Sequence, residues 1–190
     1  MIFNLRGTSG SGKSTLVRNL TALYGSRTVF RREGRKQPLG YVYSRGERGR
    51  SLAVVGHYET ACGGCDTIAS MDDIFDLVRQ SAAAGHDVIF EGLLISADVN
   101  RTVDLHKWAQ EQGIEMGVIA LDTPLDVCID SINIRRRAKD PNKPDVATKN
   151  TESKFKGVKK SVERLLEAGV PARWESRDSA LAYLQQELAL

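Results

Sequence analysis

This sequence of 190 residues has few cysteines and no long apolar run. It contains three cysteines, an odd number, which argues against a disulfide scaffold and for a reducing compartment. No apolar run approaches the roughly 18 residues of a membrane span, so we expect no membrane partner. Met1 leads directly into a strand-like segment, without the basic-then-apolar pattern of a signal peptide. We therefore predict a cytoplasmic protein.

The net charge of +3 conceals a strong segregation of charge along the chain. Seventeen of the 27 lysines and arginines lie in residues 31–50 and 131–160. A single triphosphate would use only a few of these cations, so we expect both segments to face a polyanion. The alternative is an ordinary solvated surface. The remaining composition, 41% hydrophobic and 27% charged, is that of one globular domain, which we predict to span residues 1–190.

Residues 7–14 read GTSGSGKS and fit the pattern G-x-x-x-x-G-K-[ST] at every required place. Glycines let successive backbone N–H groups turn inward around an anion, and the helix that follows adds its positive dipole end. The pattern predicts that Lys13 reaches the β- and γ-phosphates of a nucleoside triphosphate, and that the Ser14 hydroxyl binds Mg²⁺. ATP and Mg²⁺ are the expected cofactors, and the predicted nucleotide-binding residues are Gly7, Thr8, Ser9, Gly10, Ser11, Gly12, Lys13, Ser14 and Thr15.

Short apolar segments alternate with helical patterns along the chain. Strands are predicted at 2–6, 27–32, 39–44, 51–56, 87–92, 114–124 and 170–176, and helices at 13–24, 70–84, 100–112, 125–137, 158–167 and 179–188. This alternation indicates a parallel sheet with right-handed crossovers. We predict an α/β, three-layer P-loop NTPase fold, with a central parallel sheet and helices on both faces. Within this single kinase domain, residues 131–158 are expected to form a mobile basic lid.

Acids at strand ends are candidates for chemistry, because ligands of open parallel sheets bind beyond the carboxyl ends of the strands. Glu91 ends the apolar strand DVIFE, which is typical of an acid that holds Mg²⁺ directly or through water. We predict that Glu91 acts in catalysis and binds the metal together with Ser14. The alternative is a carboxylate that caps the following turn. For Asp122 a structural role is favoured: Asp122 or Thr123 is expected to cap the helix that Pro124 opens.

Three arginines, 135–137, close the predicted helix and enter the lysine-rich insert. We predict that Arg135 and Arg136 act in catalysis from the lid, by stabilising charge on the moving phosphoryl group. Adjacent residues of a helix do not share a face, so at most two of the three arginines can point the same way. The alternative is a set of ordinary cations at a helix C-terminus.

Residues 57–67, HYETACGGCDT, have no periodicity and concentrate polar side chains. We predict that they form the acceptor pocket, with the substrate-site residues His57, Tyr58, Glu59 and Asp66. The aromatic members, with Tyr41 and Tyr43, are available to stack on a base. Asp66 or Glu59 would accept a proton or a hydrogen bond from the acceptor hydroxyl, and Asp66 is the predicted catalytic carboxylate.

The same segment contains the Cys-x-x-Cys spacing of zinc and thiol-redox sites, at Cys62 and Cys65. No second Cys/His pair lies nearby in the sequence to complete four zinc ligands. We therefore favour two small buried side chains that line the tight turn at Gly63 and Gly64.

Taken together, the glycine-rich loop, the strand that ends in an acid, the LDTP helix that ends in RRR and the basic insert resemble the nucleoside and nucleotide kinases among the P-loop proteins. More narrowly, GHYETACGGCDTI followed by VIFEG resembles the small phage kinases that phosphorylate 5-hydroxymethyluracil within DNA, an activating step in thymidine hypermodification. This resemblance implies that residues 7–15 bind the nucleotide, that residues 56–68 and Glu91 help form the acceptor site, and that the location is the host cytoplasm. The sequence lacks the Asp-Arg pair that thymidylate kinases have after the corresponding strand, which disfavours free dTMP as acceptor.

Two other functions remain open at this level. The same active-site residues would serve a kinase of a free nucleoside, nucleotide or other small hydroxylated metabolite. A P-loop NTPase that switches partner affinity by hydrolysis is disfavoured, because no second ATPase signature is apparent. The sequence leaves the choice between ATP and GTP, and the oligomeric state, undetermined.

Overall fold

The computed structural model describes residues 1–46 and 49–190, and within them one sheet is formed by seven strands. The strands are β1 (Ile2–Arg6), β2 (Arg27–Phe30), β3 (Gly40–Tyr43), β4 (Leu52–Val55), β5 (Asp87–Glu91), β6 (Met116–Leu121) and β7 (Ala172–Glu175). Their order across the sheet is β2-β3-β4-β5-β1-β6-β7. The five strands from β4 to β7 in this order are parallel, so the carboxyl ends of β5, β1 and β6 lie side by side at the sheet's centre.

The helices within the described residues are α1 (Lys13–Thr21), α2 (Met71–Ala83), α3 (Asn100–Glu111), α4 (Leu125–Lys139), α5 (Thr148–Glu167) and α6 (Arg177–Glu187). One face of the sheet packs against α2 and α3, and the opposite face packs against α1 and α6. The alternation along β1 produces this division: Ile2 belongs to the first core, whereas Phe3 and Leu5 belong to the second. The predicted three-layer P-loop fold is therefore confirmed. No described helix has the length and apolar character to cross a bilayer.

The central strands are parallel as predicted, and one edge of the sheet is antiparallel. Strand β3 runs antiparallel to both β2 and β4. The connection between β2 and β3 is residues 31–39, which is shorter than the dozen or more residues that a parallel crossover needs. Because β3 runs antiparallel to β4, it separates the two ends of the basic segment 31–50. The residues before β3 lie at the end of the sheet where β4 finishes, and the described residues after β3 lie at the opposite end.

The predicted lid region, 131–158, consists mainly of helix. Helix α4 continues to Lys139, and α5 begins at Thr148, ten residues before the predicted start, so only residues 140–147 connect the two helices. Helix α5 begins this early because its buried face extends further toward the N-terminus than the sequence suggests. Thr151 is buried and lies on the same face as Val158 and Val162. The sequence hides this face because the intervening residues are mostly lysine and serine. The movement of this region as a lid remains a prediction.

Candidate active site

A cavity of about 590 Å³ opens beyond the carboxyl ends of the central strands. Its floor is the glycine-rich loop and the start of α1, and its walls come from the loops after β4, β5, β6 and β7 and from one side of α4. The residues discussed below that line it are Gly10, Gly12, Lys13, Ser14, Cys62, Asp66, Glu91, Leu93, Asp122, Val127, Ile134, Arg135 and Arg177.

The conformation of the loop requires glycine at two positions. Gly10 and Gly12 have φ angles of 85° and 96°, which belong to the left-handed region. A Cβ on Gly10 would also lie 2.2 Å from the carbonyl oxygen of Cys128, on α4. Gly12 occupies the N-cap of α1, and no side chain from the described residues caps that helix. The N–H groups of the first turn therefore remain available to an anion in the cavity.

Lys13 lies folded back over the same loop. Its Nζ donates hydrogen bonds to the carbonyl oxygens of Gly7, at 2.6 Å, and Thr8, at 3.1 Å. Burial lowers the pKa of this ammonium, and the nearby carboxylates of Glu91 and Asp66 oppose that effect. A buried cation held at the loop by carbonyl oxygens is well placed to bind a phosphate oxygen.

Glu91 and Ser14 meet at the junction of β5 and α1. The Ser14 hydroxyl donates a 2.7 Å hydrogen bond to Oε1 of Glu91, and the Tyr58 hydroxyl approaches the same oxygen at 3.4 Å. Burial raises the pKa of Glu91, whereas Lys13 and the Ser14 hydrogen bond act in the opposite direction. The pair offers a hydroxyl and a carboxylate oxygen, which are ligands of the type that Mg²⁺ prefers.

This donor set fits Mg²⁺ better than a metal that needs a complete protein cage. In residues 1–46 and 49–190, no group of three or more His, Cys, Asp or Glu side chains is arranged to hold a metal. Mg²⁺ is commonly held by one or two protein oxygens, with substrate phosphates and water completing the octahedron. Ser14 and Glu91 are the residues that would hold it here.

Asp66 lines the same cavity and is fixed by backbone groups. Its Oδ1 accepts hydrogen bonds from the N–H groups of Leu93, at 2.8 Å, and Leu94, at 3.4 Å, while Oδ2 lies 3.0 Å from the Leu93 nitrogen. A 3₁₀ turn at Cys65–Thr67 brings the carboxylate to this position. Asp66 is thus a solvent-accessible carboxylate with a fixed orientation, beside Lys13 and Glu91 in one cavity.

The other three predicted substrate-site residues lie outside the cavity lining. His57 is 2% exposed, and its Nδ1 has no hydrogen-bond partner among the described residues. The ring of Tyr58 is covered by Gly63, where a Cβ would lie 2.5 Å from it, and by the Arg18 guanidinium at 5.8 Å. Glu59 is exposed and pairs with Arg31 at 3.6 Å. Stacking by these aromatic rings and proton transfer by Glu59 remain predictions that this arrangement does not favour.

Tyr41 and Tyr43 were the other aromatic side chains predicted to be available to a base, and both rings are buried in the core. The Tyr41 hydroxyl accepts a hydrogen bond from the backbone N–H of Tyr58 at 3.3 Å. The two tyrosines lie on β3, away from the cavity lining, so their placement indicates packing and support of the acceptor loop.

Of the three consecutive arginines, one reaches the cavity. Arg135 lines the cavity, and its guanidinium donates a 3.6 Å hydrogen bond to the Cys62 sulfur, which links α4 to the acceptor loop. Arg136 donates instead to the Pro144 carbonyl oxygen at 3.1 Å, and Arg137 pairs with Asp145. The second and third arginines therefore fasten the connection between α4 and α5. A catalytic role for Arg136 remains a prediction without support from its contacts.

The Cys-x-x-Cys pair is split between surface and core. Cys62 is exposed, whereas Cys65 is buried and donates a 3.2 Å hydrogen bond to the Val55 carbonyl oxygen. The prediction of two buried cysteines is therefore wrong for Cys62, which lies at the cavity.

Sequence reasoning assigned the residues after β6 incorrectly. Pro124 itself occupies the N-cap of α4, and no side chain from the described residues caps this helix. The Thr123 hydroxyl instead donates a 2.9 Å hydrogen bond to the Ser11 carbonyl oxygen, which ties the end of β6 to the glycine-rich loop. Asp122 is exposed and lines the cavity. A capping role was inferred from local sequence, whereas the loop contact depends on the neighbouring position of β1 and β6.

Arg177 is a site residue that sequence reasoning missed. It opens α6, directly after β7, and its Cδ lies 3.2 Å from the position that a Cβ on Gly12 would take. The general rule that ligands bind beyond the carboxyl ends of parallel strands could have indicated it, because Arg177 follows the last strand by two residues.

A second missed feature lies beneath the cavity. The guanidinium of Arg6 is fully buried and donates to five acceptors, including the Thr102 and Ser161 hydroxyls at 2.7 and 3.1 Å. Burial lowers the pKa of Arg6 to about 10. The Ser96 hydroxyl accepts from the Gly7 N–H and donates to the Gly92 carbonyl oxygen. These bonds join the start of the glycine-rich loop to the segment that carries Glu91.

Comparison with known proteins agrees with this geometry. A family model described as an AAA domain matches residues 2–165. The chain is 51% identical over 187 residues to the 5-hmdU DNA kinase of Pseudomonas phage PaMx11, with 98% of this chain and 96% of the relative covered. The 5-hmdU DNA kinases of Delftia phage PhiW-14 and Pseudomonas phage M6 are 27% and 31% identical; the alignments cover 93% and 77% of this chain, and 68% and 78% of those proteins.

Among solved structures, a chain from the PezAT chromosomal toxin–antitoxin system of Streptococcus pneumoniae is similar in fold. Its TM-score is 0.53 at 17% sequence identity, with 99% of this chain and 77% of that chain covered. At this level of identity the likeness shows the fold alone. From the domain match and the near full-length identity to the PaMx11 protein, we conclude that the chain belongs to the AAA-domain P-loop proteins and, among them, to the family of phage 5-hmdU DNA kinases.

Proposed function

We propose that this protein transfers the γ-phosphoryl group of ATP to the hydroxymethyl group of 5-hydroxymethyluracil in DNA. The observation that carries the proposal is the meeting of Lys13, the Ser14–Glu91 pair and Asp66 in one cavity. Phosphoryl transfer needs phosphate binding, neutralisation of charge and a group that accepts the proton of the nucleophile. The name carried by the relatives supports DNA as the acceptor.

The glycine-rich loop and Lys13 bind the triphosphate. The free N–H groups at the start of α1 contact the β-phosphate, and the Lys13 ammonium leaves the carbonyl oxygens of Gly7 and Thr8 to bind β- and γ-oxygens. Ser14 and Glu91 would hold Mg²⁺, which would neutralise charge on the triphosphate. Arg177 lines the cavity next to Gly12 and is available to the bound nucleotide.

Asp66 accepts the proton of the acceptor hydroxyl. As the hydroxymethyl oxygen forms its bond to the γ-phosphorus, the bond from that phosphorus to the β–γ bridging oxygen breaks and ADP leaves. The proton passes to the Asp66 carboxylate and from there to solvent. The Leu93 N–H holds this carboxylate in one orientation. The Asp66 side chain therefore loses less conformational entropy when the transition state forms.

The cavity lining offers an apolar surface to a pyrimidine base taken out of a duplex, through Leu93, Val127 and Ile134. Arg135 lines the same cavity and is available to stabilise charge on the transferred group. A base inside a duplex cannot enter such a cavity, so the target nucleotide is flipped out at a cost of a few kcal/mol.

A phosphate-transfer assay with labelled ATP tests the proposal. We expect label to enter duplex DNA that contains 5-hydroxymethyluracil and not the same duplex with thymine. The free 5-hydroxymethyl nucleoside should react more slowly at equal concentration, because it lacks flanking phosphates. Faster transfer to the free nucleoside than to DNA would favour the small-molecule kinase.

A further inference from the structure

The two basic segments of the chain differ in how their charges are used. Within the described residues of segment 31–50, every arginine is already engaged. Arg31, Arg32 and Arg50 form ion pairs with carboxylates of other segments. Arg35 and Arg45 donate to backbone carbonyl groups of other segments. The remaining arginine of this segment, Arg48, lies outside the described residues.

Segment 131–160 has the opposite character. It holds ten lysines and arginines against three acids. In the described structure these ten cations form two ion pairs with carboxylates, Arg137 with Asp145 and Lys156 with Glu152. Most of its lysines therefore carry a positive charge that is not paired with a carboxylate in residues 1–46 and 49–190.

Three of the lysines form an ordered stripe on α5, in which Lys156 also pairs with Glu152 at 2.6 Å, whereas Lys149 and Lys160 form no ion pair within the described residues. Lys149, Lys156 and Lys160 are exposed and separated by seven and four residues, which places them on one face of the helix. That face is opposite the buried stripe that contains Val158 and Val162. The three lysines span 11 residues, or about 16 Å at 1.5 Å per residue. This length matches about five phosphates of one strand at 3.4 Å each.

In the sequence, exposed basic residues connect the cavity to the stripe. Arg135 lines the cavity near the end of α4, and exposed Lys139 and Lys143 follow on the way to α5. We propose that the lysine stripe, defined as Lys149, Lys156 and Lys160, binds the DNA backbone next to the acceptor nucleotide. The described arginines of segment 31–50 are engaged within the protein and are not part of this surface. The proposal rests on DNA being the substrate.

The chemistry of this face favours a nucleic acid over a membrane. A helix that lies in a membrane interface inserts an apolar face between lipids. The apolar residues of α5, including Val158 and Leu165, are packed in the protein core. The neighbours of the stripe are Glu152, Ser153 and Glu163, which are acidic or polar and offer no apolar surface to a lipid.

The test compares two triple variants that remove the same charge. One is Lys149→Gln, Lys156→Gln, Lys160→Gln, and the matched control is Arg31→Gln, Arg32→Gln, Arg50→Gln. The probe is a thymine duplex, because phosphate contacts do not need the hydroxymethyl group. For the stripe variant, we expect the slope of log affinity against log salt concentration to become shallower by about 2.7, or about 0.9 per lost phosphate contact. The control should retain the slope of the unaltered protein.

Two further variants keep the test decisive if the triple variant folds poorly. Lys160→Gln alone should reduce the slope by about 0.9, whereas Lys→Arg substitutions throughout the stripe should preserve it. An unchanged slope in the stripe variants, or an equal loss in the control, would overturn the proposal. So would binding to phosphatidylserine vesicles as tight as binding to DNA.

The assay also separates this proposal from the proposed function. If the unaltered protein phosphorylates only a free nucleoside but binds thymine duplex through the stripe, the proposed acceptor is wrong and the DNA-binding surface stands. If the unaltered protein phosphorylates 5-hydroxymethyluracil DNA and the stripe variant keeps its salt slope, the proposed acceptor stands. The lysine stripe is then not the DNA-binding surface.

Discussion

The Ser14 hydroxyl donates a 2.7 Å hydrogen bond to Oε1 of Glu91, although the two residues are 77 positions apart in the sequence. The contact exists because β1 and β5 are adjacent parallel strands, so the loop after one strand meets the end of the other. It brings together a hydroxyl and a carboxylate oxygen, the pair that we propose to hold Mg²⁺.

Replacing Glu91 by Gln tests the metal role of this pair. The amide keeps the shape of the side chain but loses the negative charge that binds the cation. We expect turnover to fall by about a hundredfold or more, and the Mg²⁺ concentration for half-maximal rate to rise. Glu59→Gln is the control, because Glu59 lies outside the cavity, and its rate should stay within about twofold of the unaltered enzyme. If Glu91→Gln keeps normal activity and normal Mg²⁺ dependence, Glu91 has a structural role and does not bind the metal.

Lys13→Ala should abolish phosphoryl transfer while the fold persists. The side chain contributes a charge to the loop, whereas the glycines and the start of α1 determine the loop's conformation. We expect a rate loss of about a hundredfold or more, with an unchanged circular dichroism spectrum. Activity within a few-fold of the unaltered protein would contradict the kinase assignment.

Asp66→Asn separates proton transfer from positioning. The amide oxygen can still accept the Leu93 hydrogen bond, but the group no longer takes up a proton. We expect a large loss of kcat, with the affinity for ATP nearly preserved. Asp72→Asn, at an exposed position of α2, serves as control. If the Asp66 variant loses ATP binding instead, Asp66 belongs to the nucleotide site.

The arginine triplet offers an internal comparison. Arg135→Gln should lower kcat by about tenfold or more, because this guanidinium alone of the three lines the cavity. Arg137→Gln removes an exposed ion pair with Asp145, and such pairs contribute about 0–1 kcal/mol. Its activity should therefore remain close to normal. Equal losses of activity in the two variants would indicate that the arginines stabilise the connection between α4 and α5 and do not act in the cavity.

His106 provides a test of pH-dependent stability away from the site. Burial lowers the pKa of this ring, so the folded state favours the neutral form. The unfolded chain takes up a proton near the ordinary value of about 6.5, and stability is therefore lost as the pH falls below that value. Urea titrations between pH 7 and 5 should show a shallower decline for His106→Gln. A parallel decline in both proteins would show that His106 does not contribute.

Several features of this protein could be read from the sequence because they depend on neighbouring residues. The glycine-rich loop, its lysine and the helix after it are contiguous, so their conformation is encoded locally. The acid at the end of DVIFE was identified because the carboxyl ends of parallel strands converge, whatever the order of the strands. The predicted resemblance to the phage kinases is confirmed by 51% identity to the PaMx11 protein.

Other features were decided only by packing between distant segments. Sequence alone identified residues 57–67 as reactive, but only the fold directs Asp66 into the cavity and covers Tyr58 with Gly63 and Arg18. The choice of Arg135 over Arg136 depends on the rotation of α4 about its axis, which its contacts with the loop and α5 determine. Arg177 joins the site because β7 brings the start of α6 beside Gly12. Local sequence specifies which groups are present, whereas the free energy of packing between remote segments determines which of them meet.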